Sequence, residues 1–266
     1  MLKLRYRFLS GLLASVFLLS ASFCIFMRDK YVVPVFMYHS VSPQKNPGSD
    51  ALAVTPQAFE KQMRFLRERG YNVLPLARMA ALVRDKKRLP PHPVVITLDD
   101  GYKDNYLYAF PVLKKYGLPA TIFIITDEVG RPDRLSWEEI RQMQASGIIT
   151  FGSHCLGPEP LTNIKSDDEI KKQITASKKI LEEKLGVKIT MFSYPEGRFN
   201  GKIRQEVAGA GYEFAVATTP GWKYPVSDVL LIKRMRISEN AANPFILWFK
   251  ASGFYSFFRE NRRKYR

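Results

Sequence analysis

The sequence predicts an α/β domain built on a parallel sheet with helices over both faces, and two observations carry this. Strand-like runs such as "YVVPVFMYH" (31–39), "PVVITLDD" (93–100) and "ATIFIIT" (120–126) are apolar throughout rather than alternating, as strands buried on both sides are. Between them lie segments with helix start and stop signals, so strand and helix alternate along the chain. Such a sheet either closes into a barrel or stays open and doubly wound, and periodicity does not choose between them.

The elements follow in order. "FLSGLLASVFLLSASFCIFM", from Phe8 to Met27, is twenty residues without a charge, preceded by Lys3, Arg5 and Arg7. It predicts a transmembrane helix with the amino terminus in the cytoplasm and the remainder outside. The alternative is a cleavable signal peptide with Ser20 and Ser22 at the cleavage site. Residues 1–30 are thus a basic tip and membrane anchor, 31–242 a single catalytic-type domain, and 243–266 an aromatic and basic closing segment. Thr55 caps a helix that opens with Pro56 and stops at Gly70. "NYLYAFPVLKKYG" (105–117) is a second helix. Ser136 with Glu139 and Ser166 with Glu169 are capping boxes, and the helix opened by Ser166 carries Ile170, Ile174, Leu181 and Leu185 on one stripe before Gly186. "TMFSYP", "FAVATT" and "LLIKRMRI" are the remaining strands. Asn243 and Pro244 open the last segment, which either lies on the membrane face or packs on the domain as a closing helix with a solvated tail.

With 46% hydrophobic residues in 266, the chain has a real core and disorder is excluded. A formal charge of +16 favours anionic surroundings such as phospholipid, wall polymer or nucleic acid. Export rules out the last. Two cysteines, Cys24 in the apolar segment and Cys155, form no intramolecular bridge.

In either sheet architecture the chemistry gathers at the carboxyl ends of the strands. That position belongs to His39, Asp99, Asp100, His154 and the "SYPEG" turn (193–197). Two adjacent carboxylates divide their work when a cation sits against one of them: Asp100 binds the metal and Asp99 stays free as a base. The alternative is an Asx turn in which Asp100 caps the next segment and Gly101 supplies the positive φ.

"TLDDGYKDN", followed by "LPATIFI", "FGSH" and "FSYPEGRFN", resembles the NodB-like polysaccharide deacetylases, metal-dependent enzymes that remove N-acetyl groups from sugar polymers. The likeness spans about residues 31 to 240. It implies a distorted (β/α) barrel of about seven parallel strands, with Asp99 as general base and Asp100 and His154 as metal ligands. The family's second histidine is missing: Pro158 stands at its spacing, with Glu159 beside it. Glu159 is either a replacement ligand, in a site for divalent zinc, or else manganese, iron or cobalt, or a solvated loop residue. The opening "PVFMYHSV" is similar to the biofilm poly-N-acetylglucosamine de-N-acetylases, which implies that His39 is the catalytic acid; His92 reads as a loop residue. The resemblance also implies that Tyr194, Pro195, Glu196 and Gly197 line the acetyl pocket. Glu196 stands where the family prefers an aromatic, and Ser193 where many members carry a base-orienting arginine. Arg234 supplies that function from a later strand or is a surface residue. The expected function is metal-dependent de-N-acetylation of an N-acetylated cell-envelope polysaccharide with release of acetate. The alternative is a catalytically inactive carbohydrate-binding member of the same fold.

Overall fold

The structure, a computed structural model, describes residues 31–43, 52–218, 227–256 and 259. The apolar run Phe8–Met27, expected as a membrane anchor, and the last seven residues lie outside these. Among the described residues no helix is long and apolar enough to cross a membrane. From Val33 onward the chain forms one compact unit.

Seven parallel strands close into a ring: β1 (Val35–Tyr38), β5 (Pro93–Leu98), β6 (Ala120–Ile124), β7 (Ile149–Ser153), β8 (Met191–Ser193), β9 (Phe214–Thr218) and β10 (Ile232–Arg236). Closure rests on β1, which pairs with β5 on one side (Val35 opposite Val95) and with β10 on the other (Phe36 opposite Met235). This settles the choice between barrel and open sheet. Two short strands, β2 (Ser40–Val41) and β3 (Ala53–Val54), pair beside the ring, and β4 (Asn72–Val73) pairs with the start of β5.

The helices are α1 (Pro56–Glu68), α2 (Leu76–Arg84), α3 (Phe110–Tyr116), α4 (Trp137–Ala145), α5 (Asp167–Leu185), α6 (Gly201–Gly209) and α7 (Pro244–Ala251). Thr55 Oγ1 accepts from the Ala58 N–H at 3.2 Å, and Phe59, Met63 and Leu66 form the buried face of α1. Ser136 and Glu139 make the reciprocal capping box of α4, and the Ile170, Ile174, Leu181 stripe of α5 is buried. The helix expected over 105–117 begins instead as a π-helical turn, Asn105–Ala109, in which the Phe110 N–H bonds to the Asn105 carbonyl. Pro111 has no N–H for the ordinary i−4 bond, which favours such a widened turn. In α7, Asn243 Oδ1 accepts from the Phe245 N–H at 2.9 Å; Leu247 and Ala251 pack inward while Phe245 and Trp248 stay exposed.

Strand alternation sorts the side chains. Val94, Ile96 and Leu98 join the apolar cluster under the helices, as do Phe36 and Tyr38. The opposite face of the same strands, carrying Met37, His39, Thr97 and Asp99, turns toward the barrel axis. An apolar run in the sequence thus hides a polar inner face, and that face bears the site.

Candidate active site

A cavity of about 590 Å³ opens at the carboxyl ends of the strands, lined among others by His39, Asp99, Asp100, Tyr102, Arg134 and His154. Asp99 follows β5 and is fully buried in the barrel mouth. Arg234 grips both its oxygens, Nη1 to Oδ1 at 2.7 Å and Nη2 to Oδ2 at 2.6 Å. The same guanidinium donates to Thr97 Oγ1 at 3.2 Å and to Ser193 Oγ at 2.9 Å. Burial alone would raise the Asp99 pKa, but the arginine, with help from the nearby histidines, brings it down to about 2. Arg234 thus holds both oxygens of Asp99 and is a core residue rather than a surface one.

Asp100 adopts a left-handed backbone (φ 71°) followed by Gly101 at φ 65°. Asp tolerates this region better than most residues. The turn carries the Asp100 carboxylate out of the strand direction, and its Oδ1 lies 3.4 Å from Nε2 of buried His154. The other ring nitrogen, Nδ1, sits 2.8 Å from the Ser193 carbonyl. A carbonyl oxygen only accepts, so Nδ1 carries the proton and Nε2 turns a lone pair toward the carboxylate. Two acceptors facing each other need a cation between them, either a proton or a metal ion. Burial lowers the His154 pKa, yet the two aspartates outweigh it and the net shift is upward. This donor pair fits a divalent cation held by one carboxylate oxygen and one imidazole nitrogen.

The third expected ligand does not join them. Glu159 is exposed and its Oε1 accepts from Asn163 Nδ2 at 2.6 Å, while Pro158 is the residue of this loop that lines the cavity. The reading of Glu159 as a ligand is corrected: prolines on both sides restrict its backbone, and the loop turns it toward solvent. Among the described residues no three His, Cys, Asp or Glu side chains come together as a metal cage.

His39 closes β1, with Nε2 4.0 Å from Asp99 Oδ2. Burial lowers its pKa against the pull of Asp99 and Asp100. Its backbone is clamped by two residues of the "KDN" stretch. Asn105 Nδ2 donates to the His39 carbonyl at 2.8 Å, and Asp104 accepts from Ser40 Oγ and from the Val41 N–H, the latter at 3.1 Å. Sequence reasoning assigned these two no role, although they sit in the quoted motif. His92 is exposed beside Tyr71, at the amino-terminal end of β5 and away from the cavity.

Of the turn after β8, Pro195, Glu196 and Gly197 line the cavity. Tyr194 does not: its hydroxyl donates to the Leu230 carbonyl at 3.2 Å and its ring packs against Phe192 and Phe199. Its assignment to substrate contact is corrected to a core role, because the residue after an inward-facing Ser193 turns to the helix side. Glu196 has φ 54° and a carboxylate 3.1 Å from Arg198 Nε. Gly197 has φ 68°, and a Cβ there would lie 2.6 Å from the Thr218 backbone nitrogen. Gly197→Ala is expected to cost about 2 kcal/mol or more and to lower activity by displacing the turn, as thermal unfolding and acetate release on the same preparation would measure. Sequence reasoning also missed Tyr102, Arg134, Arg236 and Arg259 in the lining. Arg134 stacks over the Tyr102 ring at 4.1 Å and pairs with Glu128 at 2.7 Å. No local signal marks such residues; only the strand ends and loops they ride on bring them together.

Comparison with known proteins identifies the family and the fold. The polysaccharide deacetylase family profile matches residues 86–215. YxkH of Bacillus subtilis (strain 168), provisionally named a polysaccharide deacetylase, is 32% identical over 206 residues, covering 77% of this chain and 71% of that protein. The poly-β-1,6-N-acetyl-D-glucosamine N-deacetylase of Staphylococcus aureus (strain MSSA476) is 28% identical over 204 residues, covering 71% and 69%. Among solved structures, the deacetylase PplD of Streptococcus pyogenes in complex with acetate superposes with a TM-score of 0.75 at 26% identity, over 83% of this chain and 98% of that one. The polysaccharide deacetylase BC0361 of Bacillus cereus does so with a TM-score of 0.70 at 32% identity, over 84% and 69%. With its seven-stranded parallel barrel and a relative this similar over most of both lengths, the chain belongs to the polysaccharide deacetylase family, hydrolases that act on C–N bonds.

Proposed function

We propose that this protein removes acetyl groups from N-acetylated sugars of a cell-envelope polysaccharide in a metal-dependent reaction, releasing acetate. The observation that carries the reading is a single buried carboxylate, Asp99, kept ionised by Arg234 between His39 and the Asp100–His154 pair. The Staphylococcus aureus relative supports an N-acetylglucosamine polymer as substrate.

A divalent ion held by Asp100 and His154 would supply Lewis acidity toward water and the acetamido carbonyl. A pKa of about 2 keeps Asp99 charged at neutral pH but makes it a weak base, so it accepts a proton only from water that has been acidified. The water oxygen bonds to the carbonyl carbon as a water proton passes to Asp99; His39 gives its proton to the amide nitrogen as the C–N bond breaks, so the amine stays on the sugar and acetate leaves. The developing negative oxygen needs a backbone donor. In the turn after β8 the Tyr194 N–H is taken by the Val216 carbonyl, the Gly197 N–H by that of Tyr194, and Pro195 has none. The Glu196 N–H, presented by its left-handed backbone, is the donor that remains.

His39→Ala is expected to lower kcat by roughly 10²-fold. An acid must carry its proton, so the wild-type rate falls as pH rises through the His39 pKa, and that alkaline limb should vanish in the variant's pH–rate profile.

One observation favours a second reading: among the described residues only two protein donors face the cation position, which suits a glycan-binding member without turnover. The deciding experiment measures acetate release from poly-β-1,6-N-acetylglucosamine oligomers before and after chelation, with zinc, manganese, iron or cobalt added back. Release lost on chelation and restored by one of these metals supports the enzyme. Glycan binding with no release after every reconstitution supports the binding member. The apolar run Phe8–Met27 would hold the domain at a membrane on its outer side; protease added to intact cells should then digest the domain.

A further inference from the structure

Strand β10 carries Arg234 and Arg236 two residues apart, so both side chains turn to the barrel axis. Arg234 lies one layer deep and is used by Asp99. Arg236 stands at the rim, exposed and lining the cavity, and among the described residues no acid pairs with it. Arg259 lines the same cavity, its Nη2 3.5 Å from the Arg234 carbonyl and its guanidinium 5.7 Å from the Tyr255 ring.

The charges around the mouth do not cancel. Arg134 is matched by Glu128 and Asp133. Asp99 is matched by Arg234, Glu196 pairs with Arg198, and Asp100 faces His154. Arg236 is left over on a wall that the hydrolysis itself does not need. A neutral N-acetylglucosamine polymer offers it hydroxyl and carbonyl acceptors but no counter-charge, and the deacetylated product, an ammonium polymer, would be repelled by it. A guanidinium is suited to pairing in bidentate fashion with carboxylate or phosphate oxygens.

Resting on the deacetylase reading above, we propose that the natural glycan carries an anionic group, a carboxylate or a phosphodiester, close to the acetamido unit that is cleaved, and that Arg236 at the cavity rim pairs with it. The remote net charge of +16 brings anionic polymer to the surface; Arg236 selects where along that polymer the cavity engages. This makes Arg236 a specificity residue, with no part in the bond-breaking step.

The test uses the full chain and three oligosaccharides of equal length: neutral N-acetylglucosamine pentamer, a peptidoglycan-type glycan bearing lactyl carboxylates, and a glycan with a phosphodiester next to N-acetylglucosamine. Kd is measured by calorimetry and acetate release in parallel. One of the two anionic glycans should bind about tenfold more tightly than the neutral one, with the preference shrinking as salt is raised. Which of them is preferred identifies the source of the anion. In Arg236→Gln the affinity ratio should fall to near one, and Arg236→Lys should keep part of it, with circular dichroism showing both variants folded. Equal binding of all three glycans by the wild type, or a ratio unchanged in Arg236→Gln, would overturn the proposal. Absence of acetate release from all three would count against the deacetylase reading, while the ratio of Kd values would still decide the role of Arg236.

Discussion

Asp99→Asn is expected to lower kcat for acetate release by roughly 10²- to 10⁴-fold, the range for removing a positioned general base. The amide has nearly the shape of the carboxylate but accepts no proton at neutral pH. It also breaks a buried, bidentate ion pair, leaving Arg234 with a neutral partner. Removing one member of such a pair costs about 3 kcal/mol or more. The variant should therefore be both inactive and measurably less stable, and the two effects must be read separately. Steady-state kinetics at a temperature well below the unfolding midpoint reads the first, and urea unfolding reads the second. Turnover retained within tenfold of wild type would remove Asp99 as the base.

Arg234→Met is expected to have the complementary effect. The carboxylate of Asp99 then stays buried without its counter-charge, so burial acts on it with less opposition and its pKa rises. In the wild type the folded pKa of about 2 lies below the unfolded value near 3.9, which corresponds to roughly 2–3 kcal/mol of stability. That stability is fully present above the unfolded pKa and is lost as pH falls toward 2. In Arg234→Met the stability between about pH 4 and 7 should drop by roughly 3–5 kcal/mol, and the acid limb of the pH–rate profile should move to higher pH. Arg234→Lys should restore little, since one ammonium cannot reach both carboxylate oxygens, Thr97 and Ser193 as the planar fork does. An unshifted acid limb in Arg234→Met would separate the arginine from the base.

These two residues show why parts of the site were readable and parts were not. Asp99 and Asp100 announce themselves as adjacent acids ending an apolar run, and the turn at Gly101 is a local signal. Their partners are not local. Arg234 is 135 residues away from Asp99 in the chain, and before the structure a role on the base and a place on the surface were equally open to it. Glu159 and Tyr194 were misassigned by one or two positions. In a loop between prolines, or at the end of an alternating strand, a single residue's shift reverses the direction of the side chain.

The sequence by itself determined the alternation of strand and helix, the helix starts at Thr55, Ser136 and Ser166, and the order of the catalytic motifs, because caps and apolar runs act within a few residues. Tertiary structure decided that β1 closes the ring between β5 and β10, and that, among the described residues, Asp100 and His154 face one another with no third His, Cys, Asp or Glu completing a cage and Arg236 stands at the mouth with no acid paired to it. Pairing between distant strands sets which side chains share the barrel axis, and no short stretch of chain encodes it.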